Sequence, residues 1–108
     1  MEIENNNLTD KVCMVTGATS GIGQVAAHAL AEMRAELFLV CRNRDKGERT
    51  AAEIKNLTGN DRITLLIGDL ASLTEVRQIA QSFLKHNKPL NILLNNAGVV
   101  NLKQQITP

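Results

Sequence analysis

An open α/β fold built on a parallel sheet is predicted by three features of this sequence. Four short apolar runs alternate with three longer helical patterns, and a glycine cluster follows the first run at once. Each connection is also long enough for the right-handed crossover that parallel strands require. The expected architecture is half of a doubly wound domain, with four strands in the order 3-2-1-4. The first two helices are expected on one face and the third on the other.

Residues 1–10, MEIENNNLTD, are polar, Asn-rich and aperiodic, and read as an arm outside the fold. The remainder, 11–108, is expected to form one domain, because 108 residues are too few for two. Its first run, KVCMVT from Lys11, is short, apolar and closed by glycine, which suits a buried strand. From Ile22 the period changes: Ile22, Val25, Ala26, Ala29, Leu30 and Met33 recur at helical spacing and predict one core-facing stripe. Leu37 to Cys41 is the second strand. In the charged stretch that follows, Ala51, Ile54 and Leu57 mark a narrower apolar face, and Gly59 supplies a helix stop. Ile63 to Ile67 is the third strand. Ser72 and Glu75 fit the S-x-x-E capping box that opens a third helix, which carries Val76, Ile79, Ala80 and Phe83 inward. Pro89 blocks its continuation, and Leu90 to Leu94 is the fourth strand.

Composition excludes several classes. Apolar residues make up 44% and charged residues 21%, as in globular domains rather than disordered chains. A net charge of +1 and only two aromatics, Phe38 and Phe83, argue against nucleic acid. No apolar run is long enough to span a bilayer and the start lacks a signal-peptide pattern, so a cytoplasmic setting is expected. Cys13 and Cys41 lie in apolar runs and read as reduced, buried residues. With them, His28 and His86 offer no metal-ligand spacing, and both histidines are expected at the surface.

The chemistry is concentrated in TGATSGIG, Thr16 to Gly23, between the first strand and first helix, where an open parallel sheet presents its ligand crevice. Gly17 can turn the chain out of the strand, Gly21 can let backbone approach a pyrophosphate, and Gly23 can permit close packing of the helix. Free N–H groups and the positive end of the helix favour that phosphate. Thr19, Ser20 and Ile22 share this loop and complete its cofactor-binding set. An NAD site usually places an acid at the end of the second strand; here stand Cys41 and Arg42, with Arg44 close by. A guanidinium there suits a 2′-phosphate, so NADP is favoured over NAD.

The glycine spacing G-x-x-x-G-x-G, Asp69-Leu70 after the third strand and Asn95-Asn96-Ala97-Gly98 after the fourth resemble, in order, the signatures of the short-chain dehydrogenases/reductases. CRNRDKG and DLASLTEVR are similar to the branch containing retinol dehydrogenases and the WW-domain oxidoreductase. The resemblance runs from about Lys11 to the end and implies a partial Rossmann fold. It also implies that Asp69 hydrogen-bonds near adenine, Leu70 lines the adenine pocket, Asn95 ties the central strands, and Ala97 and Gly98 border the ribose.

In that family a Ser and a Tyr-x-x-x-Lys pair handle the proton while hydride moves to or from a carbonyl. This chain has no tyrosine, and its serines, Ser20, Ser72 and Ser82, all precede Asn95. The sequence is therefore expected to supply a truncated NADP-binding half without catalytic residues, inactive alone. Two alternatives stay open: a non-catalytic module pairing through its open edge with a related full-length chain, and an enzyme completed by a second chain.

Overall fold

The computed structural model describes residues 7–19 and 21–96. Among them, β1 (Val12–Thr16), α1 (Gly21–Glu32), β2 (Glu36–Cys41), α2 (Arg44–Thr58), β3 (Ile63–Ile67), α3 (Leu73–Leu84) and β4 (Ile92–Asn95) follow in order. All pairings are parallel and the strand order is β3-β2-β1-β4, as expected from the sequence. Strand limits differ from expectation at β1, which begins at Val12 rather than Lys11, at β2, which begins one residue earlier, and at β4, which spans Ile92–Asn95 rather than Leu90 to Leu94. The segment before Ile92 is not idle. Asn91 accepts the Val12 N–H through its side chain at 2.8 Å, and its own N–H donates to the Val12 carbonyl at 2.9 Å.

The period-two alternation of strand side chains divides the core into two layers. Cys13, Val15, Leu37 and Leu39 face α1 and α2, where Ala27, Leu30, Ala31, Ala51 and Ile54 meet them. Val12, Met14, Phe38 and Val40 face α3, where Val76, Ile79, Ala80 and Phe83 close the other side. Both faces of β1 and β2 are thus covered, which is why these runs are apolar at successive positions and not at alternate ones.

The helix α1 is rolled away from its expected face. Its buried residues are Gly23, Ala27, Leu30 and Ala31, whereas Ile22 and Val25 are 79% and 71% exposed and Met33 is half-buried. Small residues let the helix axis approach the sheet, a gain in contact that bulky side chains on the same stripe would prevent. The roll brings Gln24 towards α2, where its amide donates to Glu53 at 3.1 Å. It also half-buries His28, expected at the surface: Nε2 is enclosed without a hydrogen-bond partner among the described residues, and Nδ1 lies 4.0 Å from Glu32. On α2 the expected inward Leu57 is exposed, and the buried stripe is Gly47, Thr50, Ala51 and Ile54.

Side-chain hydrogen bonds close the ends of the elements. Asn43 caps α2 by accepting from the Lys46 N–H, and Gly59 ends that helix in the left-handed conformation at φ 76°. Buried Asn60 donates to the carbonyls of Ala31 and Ala35 at 3.1 and 2.7 Å, satisfying the end of α1. Lys88 donates to both oxygens of Glu36, holding the approach to β4 against the start of β2. The end of the N-terminal arm joins the fold, since Leu8 packs on the α1/α2 layer and its N–H donates to Met33.

Cys13 and Cys41 are free and buried. Burial raises both thiol pKa values above the ordinary 9.0, with the nearby charge of Arg44 acting in the opposite sense on Cys41. A thiol whose pKa is raised by folding loses its proton more readily when unfolded. Its contribution to stability is therefore complete below pH 9.0 and falls as pH rises through the folded-state value. Native chain at pH 8 is expected to resist a thiol-reactive dye, and denaturant is expected to release both cysteines to it. Rapid labelling of either thiol without denaturant would contradict the burial.

Candidate functional site

In a parallel sheet every strand ends on the same edge, so the residues that follow β1 to β4 are brought together however distant they are in sequence. Here those residues are Gly17, Arg42, Gly68-Asp69 and Asn96, with Asn95 the last residue of β4. The ladder continues past the strand ends: the Gly17 N–H donates to Val40 at 3.2 Å and the Gly68 N–H to Cys41 at 3.0 Å.

The loop after β1 depends on its glycines in different ways. Gly17 and Gly21 adopt φ of 63° and 55°, a region that L side chains rarely enter. A side chain on Gly21 would meet nothing within 4 Å, so the space over this glycine is open. At Gly23 the reverse holds. An added Cβ would fall on the carbonyl oxygen of Gly17, so this glycine lets the start of α1 close on the loop that leaves β1. The start of α1 thereby presents its free N–H groups at the sheet edge.

At the far side of the edge, Asp69 and Arg42 face each other, with Oδ2 and Nη1 3.9 Å apart. Arg42 is 78% exposed, so this contact in water is weak and leaves the guanidinium available. The turn after β3 is tightly held. The Ala71 N–H donates to Asp69 Oδ1 at 2.9 Å, and the Ser72 N–H donates to the Asp69 carbonyl at 3.0 Å. Only half of the expected capping box forms. Ser72 accepts the Glu75 N–H at 3.3 Å, but the Glu75 carboxylate accepts from the Asp69 N–H, at 2.7 Å, and not from Ser72. Leu70 is half-buried against the α3 layer.

The central strands are joined between Asn95 and Thr16, a residue outside the expected cofactor-binding set. Thr16 is fully buried, and its hydroxyl donates to the Asn95 side chain at 3.0 Å and accepts the Asn96 N–H at 2.9 Å. Thr16 thus ties β4 to β1 beside the glycine loop. A second unforeseen feature is a groove of about 620 Å³ between that loop and α2, lined by Thr19, Gln24, Lys46, Arg49, Thr50, Ala52 and Glu53. Lys46 and Arg49 are three residues apart on one helix face, a spacing that could have signalled a shared cationic surface. Arg44, expected to assist Arg42, lies 3.9 Å from Glu48. Ser20, Ala97 and Gly98 lie outside the described residues.

An edge that gathers a glycine loop at a helix start, an arginine after β2 and an Asp-containing turn after β3 has the geometry of a dinucleotide crevice. The short chain dehydrogenase family model matches residues 11–107. The chain belongs to this family. It is 45% identical over 96 residues to retinol dehydrogenase 11 of Mus musculus, covering 89% of this chain and 30% of that protein. Polyprenol dehydrogenase of Homo sapiens is 40% identical over 98 residues, covering 91% of this chain and 30% of that protein. Among solved structures, a short chain dehydrogenase from Escherichia coli CFT073 in complex with NADPH superposes with a TM-score of 0.78 at 33% identity, covering 87% of this chain and 40% of that one. The Pseudomonas aeruginosa RhlG/NADP complex gives a TM-score of 0.80 at 30% identity, covering 91% and 38%. This short-chain dehydrogenase sequence therefore spans about a third of the length of these curated relatives. Among its described residues no helix is long and apolar enough to cross a membrane, and no group of three His, Cys, Asp or Glu could hold a metal ion.

Proposed function

We propose that these 108 residues bind NADP(H), in preference to NAD(H), as the nucleotide half of an oxidoreductase that moves hydride between cofactor and an alcohol or carbonyl. The observation that carries the reading is the electrostatics at the end of β2. Arg42 stands exposed where an acid would favour a 2′-hydroxyl, and Lys46 and Arg49 line the groove beside Thr19. A phosphate monoester gains charge-assisted hydrogen bonds from such groups, whereas an unphosphorylated ribose gains none of that charge. In this reading Gly17, Thr19, Ser20, Gly21, Ile22 and Gly23 surround the pyrophosphate. Asp69 and Leu70 border the adenine, Asn95 ties the central strands beneath the cofactor, and Ala97 and Gly98 border the ribose. The NADPH and NADP complexes of related structures support a nicotinamide dinucleotide. When bound, the cofactor supplies the hydride. This chain's residues hold and orient it, and with no tyrosine among them the chain alone is proposed not to turn over.

Thermal melts with and without nucleotide test the reading. NADP⁺ at 100 times its dissociation constant is expected to stabilise the chain by about 2.7 kcal/mol. NAD⁺ at the same concentration is expected to do less, and Arg42→Ala to weaken NADP⁺ binding on the order of tenfold while leaving NAD⁺ nearly unchanged. A cooperative melt that neither nucleotide moves would overturn the proposal.

A second reading, a module that pairs with a related chain, is favoured by one feature. The sheet edge at β4 is unpaired among the described residues, and apolar Ile22 and Val25 are exposed on α1. Co-elution of the chain with a related full-length protein would support it, whereas turnover of an aldehyde with NADPH that appears only on mixing with a chain supplying Ser, Tyr and Lys would point to an enzyme completed by a second chain.

A further inference from the structure

We propose that Glu75 is a positioning residue for the nucleotide site, holding the turn that carries Asp69; this rests on the cofactor reading above. A glutamate at the third position of a helix ordinarily reaches back to the N-cap N–H. Here Ser72 has no need of it, because its N–H is already bonded to the Asp69 carbonyl at 3.0 Å. The Glu75 carboxylate instead extends beyond its helix to the Asp69 N–H, at 2.7 Å across six residues of sequence.

A second contact shows the turn pressed against the same helix. At Gly68 an added Cβ would lie 2.7 Å from Ile79 Cδ1 and 3.7 Å from Glu75 Cβ. The lack of a side chain at Gly68 thus lets the chain leaving β3 lie close against α3, and the Glu75 carboxylate of the same helix holds the next residue there. With its backbone N–H held, and Oδ1 held by the Ala71 N–H at 2.9 Å, the Asp69 side chain has one oxygen left. That oxygen, Oδ2, points towards Arg42 at 3.9 Å. Glu75 therefore fixes, without touching cofactor itself, the place of Asp69, one of the residues proposed to border the adenine.

The test is a double-mutant cycle on the full 108-residue chain, read by NADPH fluorescence titration and by thermal melting. Glu75→Ala is expected to weaken NADPH binding on the order of tenfold, the lower end of what one hydrogen bond to a charged group contributes. Glu75→Gln, whose amide oxygen can accept the same N–H, is expected to stay within about twofold of wild type. In an Asp69→Ala background, Glu75→Ala should cost no further affinity yet still lower the melting temperature, which separates positioning from stability. Should Glu75→Ala not fold, Glu75→Ser carries the same expectation, because its hydroxyl is too short to reach Asp69.

Unchanged affinity in Glu75→Ala, or additive losses in the double variant, would overturn the role of Glu75 while leaving the cofactor reading intact. A wild-type chain that binds no NADPH overturns the cofactor reading and this role with it.

Discussion

Phe38→Ala is expected to lower stability by about 3–5 kcal/mol, the largest effect of any single substitution considered for this chain. Phe38 is fully buried on β2, its ring 4.9 Å from that of Phe83 at an edge-to-face angle of 82°. The His86 ring also lies 4.9 Å from the Phe38 ring, at 75°. Phe38 and Phe83 are the only Phe, Tyr or Trp residues in the 108, so no third large aromatic ring is available to fill the space. The pair anchors α3 to the sheet, and α3 in turn carries Glu75. Truncation should therefore both open a cavity and loosen the Asp69 turn.

Domains of this size are stable by only about 5–15 kcal/mol, so the variant should retain a small part of that margin or none. Urea unfolding followed by circular dichroism measures it. A midpoint close to that of wild type would mean that α3 contributes little to the fold, contrary to its packing.

Gly23→Val is expected to be the more informative change for the site. Its side chain would begin on the Gly17 carbonyl oxygen, a backbone atom that cannot move aside without displacing the loop. Overpacking of this kind costs about 1–3 kcal/mol, and here it falls on the segment proposed to hold the pyrophosphate. Loss of nucleotide-induced stabilisation should accompany the lower melting temperature. Gly21→Ala provides the comparison: no atom lies within 4 Å, so its cost comes from the positive φ alone and should be about 1–2 kcal/mol. If Gly21→Ala destabilised the chain more than Gly23→Val, the close contact with Gly17 would be refuted.

Expected and observed elements agree wherever a single local rule was at work. Strands at Val12, Leu37 and Ile63 were legible because consecutive apolar residues bounded by glycine or charge suit a sheet covered on both faces. The helix stop at Gly59 followed from its freedom at positive φ, and the Ser72 cap from its ability to accept a helix N–H. The gathering of the glycine loop, Arg42 and Asp69 on one edge was equally legible, because parallel strands leave no alternative once the connections are crossovers.

Local pattern along the chain thus sets the order of elements, their parallel sense and the edge on which polar loops collect. The tertiary structure decided which face of each helix is used and which partner a flexible polar side chain selects. Helix α1 carries two apolar stripes of the same period, and local pattern cannot choose between them. Close approach to the sheet chose the small residues Gly23, Ala27 and Ala31 and left Ile22 and Val25 outside. The carboxylate of Glu75 had a local partner at Ser72, but the return of β3 against α3 brought the Asp69 N–H within reach. Lys46 and Arg49 became neighbours of Thr19 only because α2 packs beside α1. In each case the deciding interaction joins residues from different elements, and its geometry does not exist until those elements have docked.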